Sequence, residues 1–264
     1  MFDNADSASS TAYDTGSATT DTIHDATVAG TDSAATTDAA FRDRFDAMVR
    51  SRRANRDFLP DALPEGEITD FLDVVLRAPS AFNMQARSIV RVESPEVRAA
   101  VHEAARDQKQ VLQAPLVLAF IAEPDGWEDT FDEVAAQYLA SGQWDDAAVA
   151  AKRAGIAEFQ KVRRDLGRSR EYAIRDAMIA ASFAMLAAEA RGWASSPMTG
   201  FDEEALKEAL GASDSARDVS VALLLAVGLP AGAPQDPGRL PLERRVYVYG
   251  GRIIRYTDGN KRQH

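Results

Sequence analysis

At 264 residues, with a formal net charge of −11, no cysteine and three histidines, the chain is long enough for one or two domains with a sizeable core. The lack of cysteine excludes disulfides, thiolate metal sites and cysteine nucleophiles, and His24, His102 and His264 are too few and too scattered for a triad or a multi-histidine metal centre. The acidic balance has the wrong sign for a phosphate-backbone surface, so no nucleic acid is expected as partner, and no apolar run of about 18 residues suggests a membrane span.

Most of the charge is local. Residues 1–40 hold seven Asp and no Lys or Arg, which leaves −4 for the remainder. Ser, Thr, Asp and Ala fill 31 of those 40 positions. Such a stretch buries too little apolar surface to offset its ordering entropy, so residues 1–39 read as a disordered, solubilising tail ahead of one domain at 40–264. No basic start followed by an apolar segment opens the chain, which reads as cytoplasmic.

Phe41, Phe45, Met48 and Val49 fall on one face of a helix over 41–50, and the basic cluster "RRANR" (52–56) follows. Ile68, Phe71, Leu72, Val75 and Leu76 predict a second helix, ended by Pro79. It runs into "APSAFNMQ" (78–85), a polar stretch without a strong acid, base or nucleophile. "RSIVRV" (87–92) alternates as a strand, and Ser94-Pro95 opens a helix to about Arg106. "APLVLAFIA" (114–122) and "VSVALLLAVGLP" (219–230) are continuous apolar runs, hence strands buried on both faces. Between them lie a polar helical region, 125–168, with scattered aromatics, and an Ala- and Met-rich helix over 171–192 stopped by Gly192. That helix is apolar nearly all round and belongs in a core or a subunit interface. "SSPMTGFD" (195–202) reads as a loop followed by a helix capped by Asp202 and ended by Gly211. "RRVYVYGGRIIRY" (244–256) reads as one late extended segment. The mixture lacks a regular βαβ repeat and predicts an α+β fold.

Two stretches invite a ligand. Arg52, Arg53 and Arg56, with Arg239 far along the chain, form either a solvated basic patch or a phosphate clamp, since guanidinium groups bind phosphate oxygens bidentately. At Thr199-Gly200, backbone N–H groups are available to a ring nitrogen or an anion, and glycine lets a flat ligand approach the backbone.

In order, "RRxxR", "APSxxNxQ", an apolar strand after "AP", "PMxGF", "VGxP" and "RLPLE" resemble the FMN-dependent nitroreductase family over about residues 41–250. Within it, the chain resembles the oxygen-insensitive NAD(P)H nitroreductases and quinone-type reductases of prokaryotes. The resemblance implies a nitroreductase-type α+β sandwich, with a central, mainly antiparallel sheet flanked by helices. It also implies a homodimer with FMN at the subunit interface. Arg52, Arg53 and Arg239 would hold the FMN phosphate, at a turn that includes Ala54, with Arg56 near the polar edge of the ring. Pro79, Ser80, Ala81 and Asn83 would reach the flavin from the partner subunit. Thr199 and Gly200 would lie against the ring, and Gln108 near its pyrimidine edge. NADPH or NADH would be the co-substrate and a nitroaromatic, quinone or related small molecule the electron acceptor, in ping-pong turnover with no catalytic side chain and no metal. Residues 125–168 would form the lid, although ordinary packing accounts equally well for Phe131, Tyr138, Trp144 and Phe159. The chain departs from the family pattern at Ala54, at Gln85-Ala86-Arg87, and at Asp107, Gln110, Thr199 and Pro237. The changed residues keep flavin binding without turnover in view; dehalogenase or oxidase chemistry on the same fold and a helical interaction protein with a surface arginine patch are the further alternatives.

Overall fold

A computed structural model describes residues 31–213, 218–249 and 253–255. Its elements run α1 (Thr31–Ser51), α2 (Glu65–Leu76), β1 (Arg87–Arg91), α3 (Pro95–Ala104), α4 (Gln110–Gln113), β2 (Leu116–Ala122), α5 (Trp127–Ala140), α6 (Asp146–Asp165), α7 (Ser169–Glu189), β3 (Ala194–Met198), α8 (Glu203–Ala209), β4 (Ser220–Gly228), β5 (Tyr247–Tyr249) and β6 (Ile253–Arg255). The chain divides into two units, Met1–Arg44 and Phe45–His264. Of the first, the described part is the start of α1, ten residues earlier than the periodicity from Phe41 suggests. The expected disordered tail lies, over residues 1–30, outside the described residues.

In the second unit, the two apolar runs fix the layout. Every residue of β2 and of β4 is buried, so both strands need cover on both faces. They pair antiparallel at the centre of a four-stranded sheet of order β1-β2-β4-β3. Leu116, Leu118 and Phe120 of β2 face a core built with Phe71 and Val75 of α2 and the alanines of α7. Val117, Ala119 and Ile121 face the opposite core, with Val101 and Ala104 of α3 and Leu206 of α8. The result is a helix–sheet–helix sandwich, the expected α+β class.

Helix α7 lies close on the sheet because the residues it turns inward are small. Ala173, Ala177, Ala180, Ala181, Ala184, Ala187 and Ala188 are all buried. It stops as the glycine predicts: Gly192 has φ 70°, the Gly192 N–H donates to Glu189 O, and the Trp193 N–H donates to Ala188 O. Asp202 caps α8 by accepting from Ala205 N–H, and Ser94 caps α3 from Val97 N–H.

Two expectations change. The stretch predicted as a loop at 195–198 is strand β3, which pairs with β4 from Ala194↔Gly228 to Met198↔Leu224. Ala, Ser and Pro carry no strand signal; pairing with β4 makes the strand, and Pro197 is tolerated because β3 ends the sheet. The segment predicted as extended over 244–256 contains instead two short antiparallel strands, β5 and β6, with Tyr247 opposite Arg255; residues 250–252 and 256 lie outside the described residues. No helix among the described residues is long and apolar enough to cross a membrane.

At Gly228, the end of β4 passes so near Pro115 that a Cβ would sit 2.5 Å from the ring Cδ. Proline has no rotamer that relieves the contact. Gly228→Ala is expected to destabilise the fold by about 1–3 kcal/mol, read as a lower unfolding midpoint in denaturant.

Candidate functional site

The basic stretch after α1 is fastened along the free edge of β3. Ala54 bridges Ser195 in parallel, and the Asn55 N–H donates to Ser195 O at 3.0 Å. The Asn55 side chain is buried: Nδ2 donates to Gly232 O (2.9 Å) and Oδ1 accepts from Asp57 N–H (3.0 Å). On the other side, Leu59 N–H donates to Leu229 O and Ala231 N–H to Asp57 O. Residues 52–59 are thus laced between β3 and the segment that follows β4.

That lacing holds the arginines. Arg52 and Arg53 are half-buried, whereas Ala54, Arg56 and Arg239 are exposed. Nη1 of Arg52 and Nε of Arg53 are buried without a hydrogen-bond partner, as is the hydroxyl of Ser195 on β3. A charged donor without an acceptor is costly to bury, so these atoms mark a place built for an anion or water. Nη2 of Arg53 is in an ion pair with Asp236, and Arg239 adds positive potential at the same carboxylate.

The turn after β3 belongs to the same rim. Thr199 and Gly200 are exposed, and a Cβ on Gly200 would point into open space. Gln108 donates from Nε2 to Gly200 O (3.4 Å) and accepts at Oε1 from Nε2 of buried Gln110 (3.1 Å). Asp202 N–H donates to Ala104 O, and Lys109 pairs with Asp57. Just before Gln108, Arg106 and Asp107 both hold positive φ, 58° and 56°. Consecutive left-handed residues other than glycine are strained, and such strain clusters at functional sites.

The structure therefore connects Arg52, Arg53, Ala54, Gln108, Thr199, Gly200 and Arg239 along one edge of the sheet, and Arg56 follows in the laced strip. It does not bring Pro79, Ser80, Ala81 and Asn83 to them within one chain. Those four residues lead into β1, at the opposite edge. Three inter-strand spacings, roughly 14 Å, separate β1 from β3. Yet Arg87, through Ala122 and Ser220, and Met198, through Leu224, point both segments toward the same end of the sheet.

The segment beside β1 is itself strained. Phe82, Asn83 and Gln85 have φ of 54°, 58° and 54°. Asparagine tolerates this conformation; phenylalanine and glutamine do so only when held. The holding is visible. Ala81 N–H donates to Oδ2 of Asp176 on α7 (3.1 Å), and Gln85 N–H donates to Oγ of Ser80 (2.8 Å). Arg87 lies buried behind it and donates to Ala78 O (2.5 Å); burial pushes its guanidinium pKa down while Asp176 pulls it up. Thr130 of α5 donates to Met84 O.

Helices α5 and α6 cover this segment. Phe131, Tyr138 and Trp144 pack within the pair of helices, Tyr138 stacked on Trp144 at 4.2 Å, so ordinary packing accounts for those three. Phe159 differs. It is 42% exposed and meets the 47% exposed Phe82 edge-on, at 5.2 Å. Arg163 lies over both Phe159 and Tyr172. Burial lowers its pKa, and Asp176 is among the groups that oppose the shift.

Sequence reasoning passed over Asn55, Asp176, Asp236 and Phe82. Only Asp236 carried a local signal, the turn-forming "QDPG". The others act through partners distant in sequence. Among the described residues no group of acidic or histidine side chains could hold a metal ion.

Removal of the Asp176 carboxylate leaves the Ala81 N–H unpaired and the cations Arg87 and Arg163 without their nearby counter-charge. Asp176→Ala is expected to cost about 1–3 kcal/mol of stability. Amide hydrogen exchange should accelerate across 79–86 before it does so in β2 or β4.

Comparison with known proteins bears on the family and the fold. The sequence model of the nitroreductase family matches residues 49–229. A protein called NADH dehydrogenase from Thermus thermophilus is 35% identical over 195 residues, which is 74% of this chain and 91% of that protein. The solved structure of YdfN from Bacillus subtilis is similar at TM-score 0.71 and 25% identity, covering 79% of this chain and 100% of that one. A protein from Exiguobacterium sibiricum, solved in complex with FMN, shares the fold at TM-score 0.67 and 21% identity, over 78% of this chain and 97% of that one. With a family match over residues 49–229 and a relative matched across nine-tenths of its length, this chain belongs to the nitroreductase family.

Proposed function

We propose that the protein is an FMN-dependent NAD(P)H oxidoreductase that reduces nitroaromatic, quinone or related small acceptors, and that it works as a homodimer. One observation carries the reading: partnerless, buried guanidinium nitrogens on Arg52 and Arg53 stand on the strip fastened to β3, the strand that leads into the open-faced Thr199-Gly200 turn. The residues present fit a planar ligand that bears a phosphate. The FMN bound in the Exiguobacterium structure and the NADH in the name of the Thermus relative support the same choice of cofactor and reductant.

In this reading, Arg52, Arg53 and Arg239 hold the phosphate as charge-assisted donors, and Ala54 leaves that turn without a hydroxyl to help them. Arg56 stands at the polar edge of the ring. The backbone of Thr199 and Gly200 lies against the ring, and Gln108, fixed by Gln110, offers its amide to the pyrimidine edge. FMN, when bound, would supply the two-electron redox chemistry between nicotinamide and acceptor. The protein then needs no side-chain nucleophile, which fits a chain without cysteine.

The second copy follows from the split site. A single chain holds Pro79, Ser80, Ala81 and Asn83 at the wrong edge for its own arginines, so a partner subunit must bring them. Exposed apolar residues support an interface: Phe45 and Val49 on α1, and Ile179 and Phe183 on α7. Helices α5 and α6, with Phe159 against Phe82, act as the lid that shuts water from the ring. Residues 40–264 work as one domain behind an acidic tail in the cytoplasm.

The purified protein should show a flavin absorbance spectrum, release FMN at about one per chain on denaturation, and sediment as a dimer. Arg52→Ala should weaken FMN binding by roughly 10- to 100-fold, the value of a lost hydrogen bond to a charged group. Initial rates with NADPH or NADH against a quinone or nitroarene should give parallel reciprocal plots. Intersecting plots would defeat the ping-pong scheme, and flavin without turnover on any acceptor would favour a carrier or sensor.

A further inference from the structure

Arg53 has a neighbour that the phosphate reading does not explain. Its Nη1 donates to two backbone carbonyls, Arg50 O at 2.5 Å and Arg52 O at 2.9 Å. That fixes the guanidinium and blocks its Nη1–Nη2 edge. One edge remains for bidentate capture of an oxyanion, the Nε–Nη2 edge. Nε there is buried and partnerless, while Nη2 is taken by Oδ2 of Asp236. The carboxylate therefore occupies half of the edge on which a phosphate would have to sit.

We propose that Asp236 is an internal anion seated on the phosphate-binding edge of Arg53, displaced when the phosphate of the flavin arrives, so that it weakens binding of phosphorylated flavin. The inference rests on the reading of Arg53 as a phosphate ligand.

Three observations give the contact this character. First, Asp236 is 54% exposed and Arg53 18%, so the acid comes from solvent onto a fixed base. Second, residues 232–240 hold no helix or strand and are exposed throughout, so the acid can withdraw without breaking the core. Its other oxygen, Oδ1, accepts from Gly238 N–H at 2.8 Å, a local turn that presents the carboxylate. Third, Asp236 feels two of the three arginines assigned to the phosphate, Arg53 and Arg239. Its pKa is lowered first by the Gly238 N–H, then by Arg53, with a smaller contribution from Arg239, so it carries its charge at neutral pH. A phosphate monoester carries about −1.5 to −2 against the carboxylate's single charge, and wins the exchange.

The test uses the full chain stripped of flavin. FMN and riboflavin, which lacks the phosphate, are each titrated while flavin fluorescence is followed. Asp236→Asn should bind FMN about two- to five-fold more tightly, the size of one exposed ion pair, and riboflavin unchanged. Asp236→Glu, which keeps the charge, should stay near the parent. Equal or weaker FMN binding by Asp236→Asn would overturn the inference, since the carboxylate would then be positioning Arg53 for the phosphate. Equal gains for FMN and riboflavin would overturn it too. Arg53→Ala separates the two levels: if it loses FMN affinity while Asp236→Asn gains none, only this inference falls. If Arg53→Ala binds FMN as the parent does, the phosphate reading of Arg53 itself falls.

Discussion

The strand order β1-β2-β4-β3 is the constraint on which the rest depends. Strands β2 and β4 are buried along their whole lengths, so they must be central, and everything that meets a ligand is left to the edges. An edge strand exposes a row of unpaired backbone groups and needs cover. At β3 the cover is the strip 52–59, which turns an edge liability into a mount for Arg52 and Arg53. At β1 the segment that leads into the strand, 79–86, is held by Asp176 of α7 and Thr130 of α5. Two buried strands lie between the halves within one chain. The proposed dimer is one way to bring such halves together.

Each half is also held away from its relaxed conformation. Phe82, Asn83 and Gln85 on one side, and Arg106 and Asp107 on the other, are left-handed. The strain costs of order 1–3 kcal/mol per residue and persists only where neighbours impose it. On the β1 side the neighbour is α7. Its Asp176 accepts the Ala81 N–H and sets the potential felt by both Arg87 and Arg163. Because α7 is anchored to the sheet by alanines, the carboxylate is positioned by the core and not by the loop that it restrains.

Much of this was legible in the sequence, for reasons that differ by element. Strands β2 and β4 were readable because double burial demands an unbroken apolar run. Helices α2 and α3 were readable from spacing and, for α3, from the Ser94-Pro95 start. Strand β3 was not readable, since "ASSPM" is a strand only by virtue of the partner that β4 offers it. Strands β5 and β6 lie within one stretch, 244–256, that reads in sequence as a single extended segment. For the site, the arginines and the Thr199-Gly200 turn stood out by residue type. Their attachments did not: Asn55 to Gly232, Asp176 to Ala81 and Asp236 to Arg53 span from 95 to 183 positions of sequence. No local pattern encodes such a pairing.

Helix α7 connects the two levels of the argument. One face, small and buried, sets the distance between helix and sheet. The polar position Asp176 holds the strained segment that a partner's flavin is proposed to meet. The exposed Ile179 and Phe183 lie one and two turns further along the same helix. A single rigid element therefore carries the support of the site-forming segment and part of the apolar surface assigned to the second copy. If those residues are covered by the partner, docking and completion of the site are the same event. The flavin pocket would then exist only in the dimer, and loss of the interface would cost cofactor as well as assembly.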